Sequence, residues 1–250
     1  MVTADPGWRR IGPDPAIAAW AAAALPQARA AIAASPEPWR CGGTWFVGVD
    51  ALPNGPDGGM GGVAFPWSAL PLAPQPLHRG QLSTVVPGYP QPSPDEGAAA
   101  FGFRLRRDAA HLDGLLAVGP DRQRMVKEPH AWILGLPLTD CGAGAAPLVV
   151  WEGSAEVMRD GLRRAFAGTD PDLWDQVDVT AAYKAARAEV FRACRRVELP
   201  ARPGEALLLH RLIVHGVAPW AEGAAAPAEG RITAYFRPLL PSVAAWLTEP

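Results

Sequence analysis

Cysteine is scarce in this chain: Cys41, Cys141 and Cys194 are the only three among 250 residues. They are odd in number, widely spaced and never paired as CxxC. That argues against a disulfide frame or a cysteine-held zinc and for reduced thiols. An excess of basic charge is also missing. Lys+Arg 23 against Asp+Glu 25 gives a net charge of −2, so nucleic acid and anionic membrane surfaces are not expected partners. No apolar run reads as a transmembrane helix. The first residues, Met1 to Pro6, place an acid and a proline where a signal peptide needs a basic segment and then an apolar one. A cytoplasmic protein is therefore expected. No internal repeat is visible. Histidine is sparse too, with five residues, His78, His111, His130, His210 and His215.

What is present fits one domain over 1–250, a length at which sandwiches and barrels commonly stay single. The richness in Ala, Gly, Pro and Arg reflects a GC-rich genome more than a function. Residues 14–34 read as an alanine-rich helix capped by Asp14, with Pro15 at its first position and Pro26 splitting or kinking it. A tryptophan- and proline-rich arm follows to about residue 80, with a strand at 45–49. Strands are expected at 82–86, 101–105, 131–138, 147–151, 196–199, 206–210 and 231–237, with a further apolar run at 212–215 and a charged loop at 118–129. Helices at 155–166 and 180–194 form an insertion, about 155–195, laid outside a sheet. Short strands joined by Gly/Pro turns, without strand–helix alternation, predict a mainly β sandwich or barrel with added helices over 81–240.

The chemistry concentrates in Ala109–Leu116. In extended backbone His111 and Asp113 point one way and Leu112 the other. One imidazole and one carboxylate on one face make two-thirds of a facial site. A distant histidine would complete a set suited to non-haem Fe(II) with open positions. The plain alternative is a surface histidine beside a turn aspartate. For the third ligand His78 reads as surface, and His130 opens a strand and can line a pocket. His210 and His215 share an apolar segment in which an imidazole needs a partner.

His-x-Asp in mid-chain, then Pro147-Leu-Val-Val-Trp-Glu-Gly-Ser154, then Val214-His215-Gly216 with Pro219 following, then Arg231 opening the last strand, resembles the phytanoyl-CoA dioxygenase-like branch of the Fe(II)/2-oxoglutarate oxygenases. The resemblance spans about Phe101 to Pro238, and residues 1–80 add nothing to it. It implies a double-stranded β-helix, the jelly-roll or cupin-like core. It also implies Fe(II) on His111, Asp113 and His215, and 2-oxoglutarate held by Arg231, with Thr233 adding a hydrogen bond. His215 matches the distal histidine better than His210. Arg231 lies 16 residues after His215 (231 − 215), a longer gap than usual, which leaves Arg237 as a substitute. Ala155 stands where the family often has a histidine. Asp113 favours hydroxylation over halogenation. The expected reactants are a small-molecule or acyl-conjugate substrate and O2, with succinate and CO2 released. Trp67 and Trp132 are candidate pocket walls. Arg104, Arg106, Arg107, Arg122 and Arg124 hint at an anionic substrate, although solvated surface arginines explain them as well. A cupin-like metalloprotein that does not use 2-oxoglutarate and a non-catalytic jelly-roll binder are the alternatives. Oligomeric state has no signature.

Overall fold

The computed structural model describes residues 5–94 and 96–249. Residues 1–4, on which much of the export reading rests, lie outside the described residues. The chain begins with strand β1 (Trp8–Ile11), helix α1 (Pro15–Ala34), strands β2 (Trp45–Gly48) and β3 (Gln81–Val85), and helix α2 (Ala98–Arg106). Strands β4 (Leu115–Val118), β5 (Gln123–Val126), β6 (Trp132–Pro137) and β7 (Leu148–Glu152) follow, then helices α3 (Ser154–Phe166) and α4 (Thr180–Ala193). Strands β8 (Arg195–Leu199), β9 (Ala206–His210), β10 (His215–Val217) and β11 (Arg231–Phe236) and helix α5 (Val243–Thr248) complete it.

Six strands in the order β1-β9-β6-β11-β3-β2 form one sheet, and β10-β7-β8 form a second. All of these pairings are antiparallel. Ile133, Leu148, Val150, Leu199, Leu207, Leu209 and Ile213 make a buried cluster drawn from both sheets. The two-residue period of β11 decides what faces it. Ile232, Ala234 and Phe236 pack with α1, while Tyr235 joins the cluster between the sheets. Arg231, Thr233 and Arg237 share the parity of Tyr235. Helices α3, α4 and α5 cover Val149 and Trp151 of β7 together with Ala110 and Leu112. The three helices therefore pack on the face of β7 opposite the cluster between the sheets.

Asp14 caps α1, accepting from Ala16 N and Ile17 N. Pro26 does not split the helix as expected. It sits on the exposed face, where its missing N–H leaves the packed face undisturbed. By length and composition alone α1 matches a membrane span, contrary to the reading that no such run exists. In the fold its Ile17, Trp20, Ala21, Ala24 and Ala28 are fully buried in the cluster that contains Phe236. The indole of Trp20 donates to Gly58 O at 2.9 Å, which satisfies its one polar atom.

Two other expectations fail. Residues 101–105 belong to α2 and not to a strand. The Phe-x-Phe-x-Leu alternation imitates a half-buried strand, but the alanines at 98–100 favour helix, and Phe103 is 41% exposed. Residues 118–129 are not a plain loop, because β4 and β5 pair there as a hairpin. Its strands are short and one face is solvated, so Arg122 and Arg124 hide the apolar alternation.

His210 links the core to the C-terminal helix region. Its Nδ1 accepts from Leu212 N at 2.9 Å, and its Nε2 lies 3.1 Å from Arg159 Nη2. A protonated ring would set an N–H against a donor at both nitrogens. Burial, followed by the charges of Arg211 and Arg159, lowers its pKa to about 4, with Asp5 pulling weakly upward. The unfolded chain protonates near 6.5 and the folded chain only near 4, so stability is lost as pH falls through that window. Over that span the loss reaches about 3 kcal/mol at 1.36 kcal/mol per unit. In urea unfolding of the metal-free protein at pH 7 and 4.5, His210→Gln should lose about 2 kcal/mol less than wild type. Equal losses would show that His210 does not set this slope.

Candidate metal centre

The site begins where α2 ends. Asp108 and Ala109 both take the left-handed conformation, φ 52° each, at a cost of about 1–2 kcal/mol per residue. Neighbours hold the turn. Buried Asp108 receives Arg196 through a fork of 2.7 and 2.8 Å, and its carbonyl accepts Val217 N at 2.8 Å. The chain then extends, and His111 pairs with His215 through two backbone hydrogen bonds, 2.9 and 3.1 Å. Leu112 turns into the core beneath α3 and α4, so His111 and Asp113 share the opposite side as the spacing predicts. Two glycines permit this geometry. A Cβ on Gly216 would stand 2.2 Å from Asp108 O, and one on Gly114, φ +89°, 2.5 Å from Glu128 O.

Asp113 Oδ1 lies 3.1 Å from His111 Nε2 and 3.8 Å from His215 Nε2. Ligand atoms of the three residues lie within 4.8 Å of one another, a spacing at which they can hold one metal ion. Neighbouring donors about 2.1 Å from an ion stand about 3 Å apart, so little adjustment is needed. Each imidazole is oriented from behind. His111 Nδ1 meets Ala109 O and His215 Nδ1 meets Ile213 O, both at 3.1 Å. A carbonyl there requires the proton on Nδ1, which leaves each Nε2 lone pair free for a metal. Two imidazoles and one carboxylate on one side suit non-haem iron with positions left open.

Arg237 fixes the carboxylate. Its Nη1 donates to Asp113 Oδ2 at 2.9 Å and its Nη2 to Gln81 Oε1 at 2.5 Å. Burial works against the charge on Asp113, but His215, His111 and Arg237 together hold its pKa well below the usual carboxylate value. Burial lowers the pKa of His215 to about 4, so its imidazole is neutral. Burial also opposes charge on His111, yet the hydrogen bond and charge of Asp113 outweigh it and raise that pKa. The three side chains differ in access. His111 is 44% exposed, against 12% for Asp113 and 9% for His215. His111 and Asp113 line a cleft of about 780 Å³, within the range of small-molecule sites.

The other histidines are elsewhere. His210 meets Arg159 and Leu212, so His215 is the partner of His111 and Asp113. His78 is not a bystander of the surface, because its Nε2 accepts Arg237 N at 2.8 Å. His130 is buried against Arg237 O at 3.0 Å and lines no part of the cleft. The two rings thus clamp the peptide of Arg237. Trp132 packs on the α1 side, and Trp67 lines a separate groove with Phe65, so neither walls the metal cleft. Trp45 does. Ser154 Oγ accepts Val214 N at 2.9 Å, and Ala155 is packed in the core. The Gly-Ser-Ala departure therefore lies behind the site and not at the substrate.

Arg231 is buried at 9% exposure. Its Nη1 donates to Thr233 Oγ1 at 2.9 Å, while Nε and Nη2 have no partner. It is not a surface residue paired with Glu229, which binds Arg29. Arg231 and Thr233 line a small interior cavity of about 20 Å³, room for about one water. They do not touch the three metal-site residues. Register nevertheless connects the regions. Arg231 pairs with Val85, and Val85 with Trp45 of the cleft wall, so two strand spacings, roughly 10 Å, separate the wall from Arg231. Sequence reasoning missed the role of Arg237. The available signal was its parity with Arg231 on β11, overridden by the strand's end at Pro238.

His111→Ala and His215→Ala should each abolish stoichiometric binding of a divalent metal, measured by anaerobic titration. Arg237→Ala should keep the fold and weaken metal affinity roughly 10–100-fold, as loss of a ligand's supporting partner does. Stoichiometric metal in a His111→Ala/His215→Ala double variant would contradict the site.

No protein-family model matches the chain, and no curated protein matches it. Among solved structures it is similar to the non-haem alpha-ketoglutarate-dependent carbocyclase SnoK from nogalamycin biosynthesis, with 12% identity and a TM-score of 0.47 over 96% of this chain and 85% of that one. It is also similar to the epimerase SnoN of the same biosynthesis, with 14% identity and a TM-score of 0.43 over 97% of this chain and 84% of that one. Likeness of this degree does not carry an activity from those proteins to this one.

Proposed function

We propose that the protein is an Fe(II)/2-oxoglutarate-dependent oxygenase that hydroxylates, or otherwise oxidises at a C–H bond, a small-molecule substrate. The observation that carries this reading is the convergence of His111, Asp113 and His215 within ligand distance of one another, with His111 and Asp113 lining a substrate-sized cleft. Strand order supports a double-stranded β-helix. The sequence β9-β6-β11-β3 in one sheet faces the order His111 segment, β10, β7, β8 in the other. The chain alternates between these sheets in the manner of a jelly roll. Placement in the phytanoyl-CoA dioxygenase-like branch rests on the sequence resemblance alone.

His111, Asp113 and His215 would hold the iron, which when bound would supply O2 activation coupled to decarboxylation of 2-oxoglutarate to succinate and CO2. The rest is the work of the chain. The Ala109 and Ile213 carbonyls keep both imidazoles aimed, and Arg237 keeps one oxygen of Asp113 free for the metal. Arg231 and Thr233 take the distal carboxylate of 2-oxoglutarate. A planar guanidinium binds a carboxylate through two parallel hydrogen bonds, and Arg231 has two unpartnered nitrogens to offer. A buried guanidinium without an anion is strongly unfavourable, so an activity that uses no 2-oxoglutarate leaves Arg231 unexplained.

Removing one side of such a buried pair costs about 3–5 kcal/mol, which is roughly two to four decades of affinity. Arg231→Ala should raise the 2-oxoglutarate requirement at least tenfold and leave metal affinity nearly unchanged. The charge-transfer absorbance of the anaerobic Fe(II) protein titrated with 2-oxoglutarate reads this directly. Unchanged binding in Arg231→Ala, together with no succinate from the wild type, would remove 2-oxoglutarate from the account.

A further inference from the structure

The cleft before the metal ligands is basic, although the chain as a whole is not. Its lining includes Arg40, Arg122, Arg124, Lys184 and Arg187, against Asp121 and Glu128, once Asp113 is set against its partner Arg237. Among the described residues none of those five cations has a carboxylate within ion-pair distance. Arg29, Arg104, Arg195 and Arg196 elsewhere each hold an acid. Positive groups gathered in one concave site raise the local concentration of anions.

Two of the five are held in place beside the ligands. Arg187 on α4 donates from Nη1 to Ala110 O at 3.4 Å and to Tyr183 Oη at 3.2 Å. Its guanidinium also lies 4.9 Å from the Tyr183 ring and 5.6 Å from the Phe103 ring. Arg124 on β5 donates from Nη1 to Leu115 O at 3.4 Å. Ala110 and Leu115 flank the segment that carries His111 and Asp113, so the two guanidiniums approach the metal ligands from two different elements. Each has five N–H donors, and these contacts leave most of them free. Both side chains are half-buried, so part of their ordering cost is met before any ligand arrives. Of the five arginines that hinted at an anion in the sequence, the fold selects Arg122 and Arg124 for the cleft and ties Arg104 to Glu96.

We propose that the substrate oxidised at this site is an anion, a molecule bearing a phosphate or carboxylate group that Arg124 and Arg187 grip while its reacting carbon faces the exposed side of His111. This rests on the oxygenase reading of the cleft. Arg40, which lies over the Trp45 ring, and the exposed Arg122 and Lys184 draw the anion in from the rim.

Phenyl phosphate, phenylacetate and uncharged benzyl alcohol serve as matched probes. Their binding is measured calorimetrically to the anaerobic Fe(II) protein saturated with 2-oxoglutarate, and again to the metal-free protein. At 20 mM salt at least one charged probe should bind tenfold or more tighter than the alcohol, and the gap should narrow severalfold at 300 mM salt. Comparison of the two charged probes separates phosphate from carboxylate. Arg124→Gln and Arg187→Gln should each weaken the preferred anion at least fivefold, with metal and 2-oxoglutarate binding retained. Equal binding of all three probes to the wild type would overturn the proposal. So would a preference that survives the combined Arg124→Gln/Arg187→Gln variant and disappears in Arg231→Ala. Loss of metal binding by the wild type would count against the oxygenase reading. The metal-free titration still decides whether the cleft selects anions.

Discussion

Two backbone hydrogen bonds between His111 and His215 hold the candidate metal centre together. They join residues 104 apart in the chain (215 − 111), at a narrow bridge beside β10. The bridge is short, so its surroundings must enforce it. Gly216 admits the carbonyl of Asp108 where any side chain would clash. Asp108 is itself fixed by the Arg196 fork. Leu112 and Val214, neighbours of the two histidines, are packed in the same cluster with α3 and α4. The apolar core thus aligns two imidazoles without touching their nitrogens, and the carbonyls of Ala109 and Ile213 complete the aim.

A side chain at the end of a strand of the larger sheet reaches the site beside this bridge. Arg237, just past β11, reaches Asp113, and the rings of His78 and His130 hold its backbone. The parity of β11 places Arg231, Thr233, Tyr235 and Arg237 on the inner side and Ile232, Ala234 and Phe236 under α1. One strand therefore holds the Asp113 carboxylate at one end and offers a guanidinium with two unpartnered nitrogens at the other. A register slip of one residue would send both arginines into the apolar contact with α1.

The local part of the site was legible in the sequence. His111 and Asp113 are two residues apart, and extended backbone alone puts them on one side with Leu112 opposite. The choice of His215 over His210 came from the following glycine, and its physical basis is the close approach of Asp108 O. Long-range partners carried no such local mark. Arg237 looked terminal because Pro238 stops the strand, yet the side chain points back to Asp113, 124 residues earlier. The strand expected at 101–105 and the loop expected at 118–129 failed for a shared reason. Both segments are short and half-exposed, so few apolar positions define the period. Likewise the contact of Tyr183 with Arg187 at the cleft depends on how α4 docks, which no local pattern encodes.

The central claim is that one metal sits on two imidazoles and one carboxylate with its remaining positions open to the cleft. Iron K-edge X-ray absorption of the anaerobic Fe(II)-loaded protein counts those ligands directly. The account predicts two imidazole scatterers with oxygen completing the shell, and one imidazole fewer on any iron retained by His215→Ala. Three or more imidazoles, or any sulfur ligand, would contradict it.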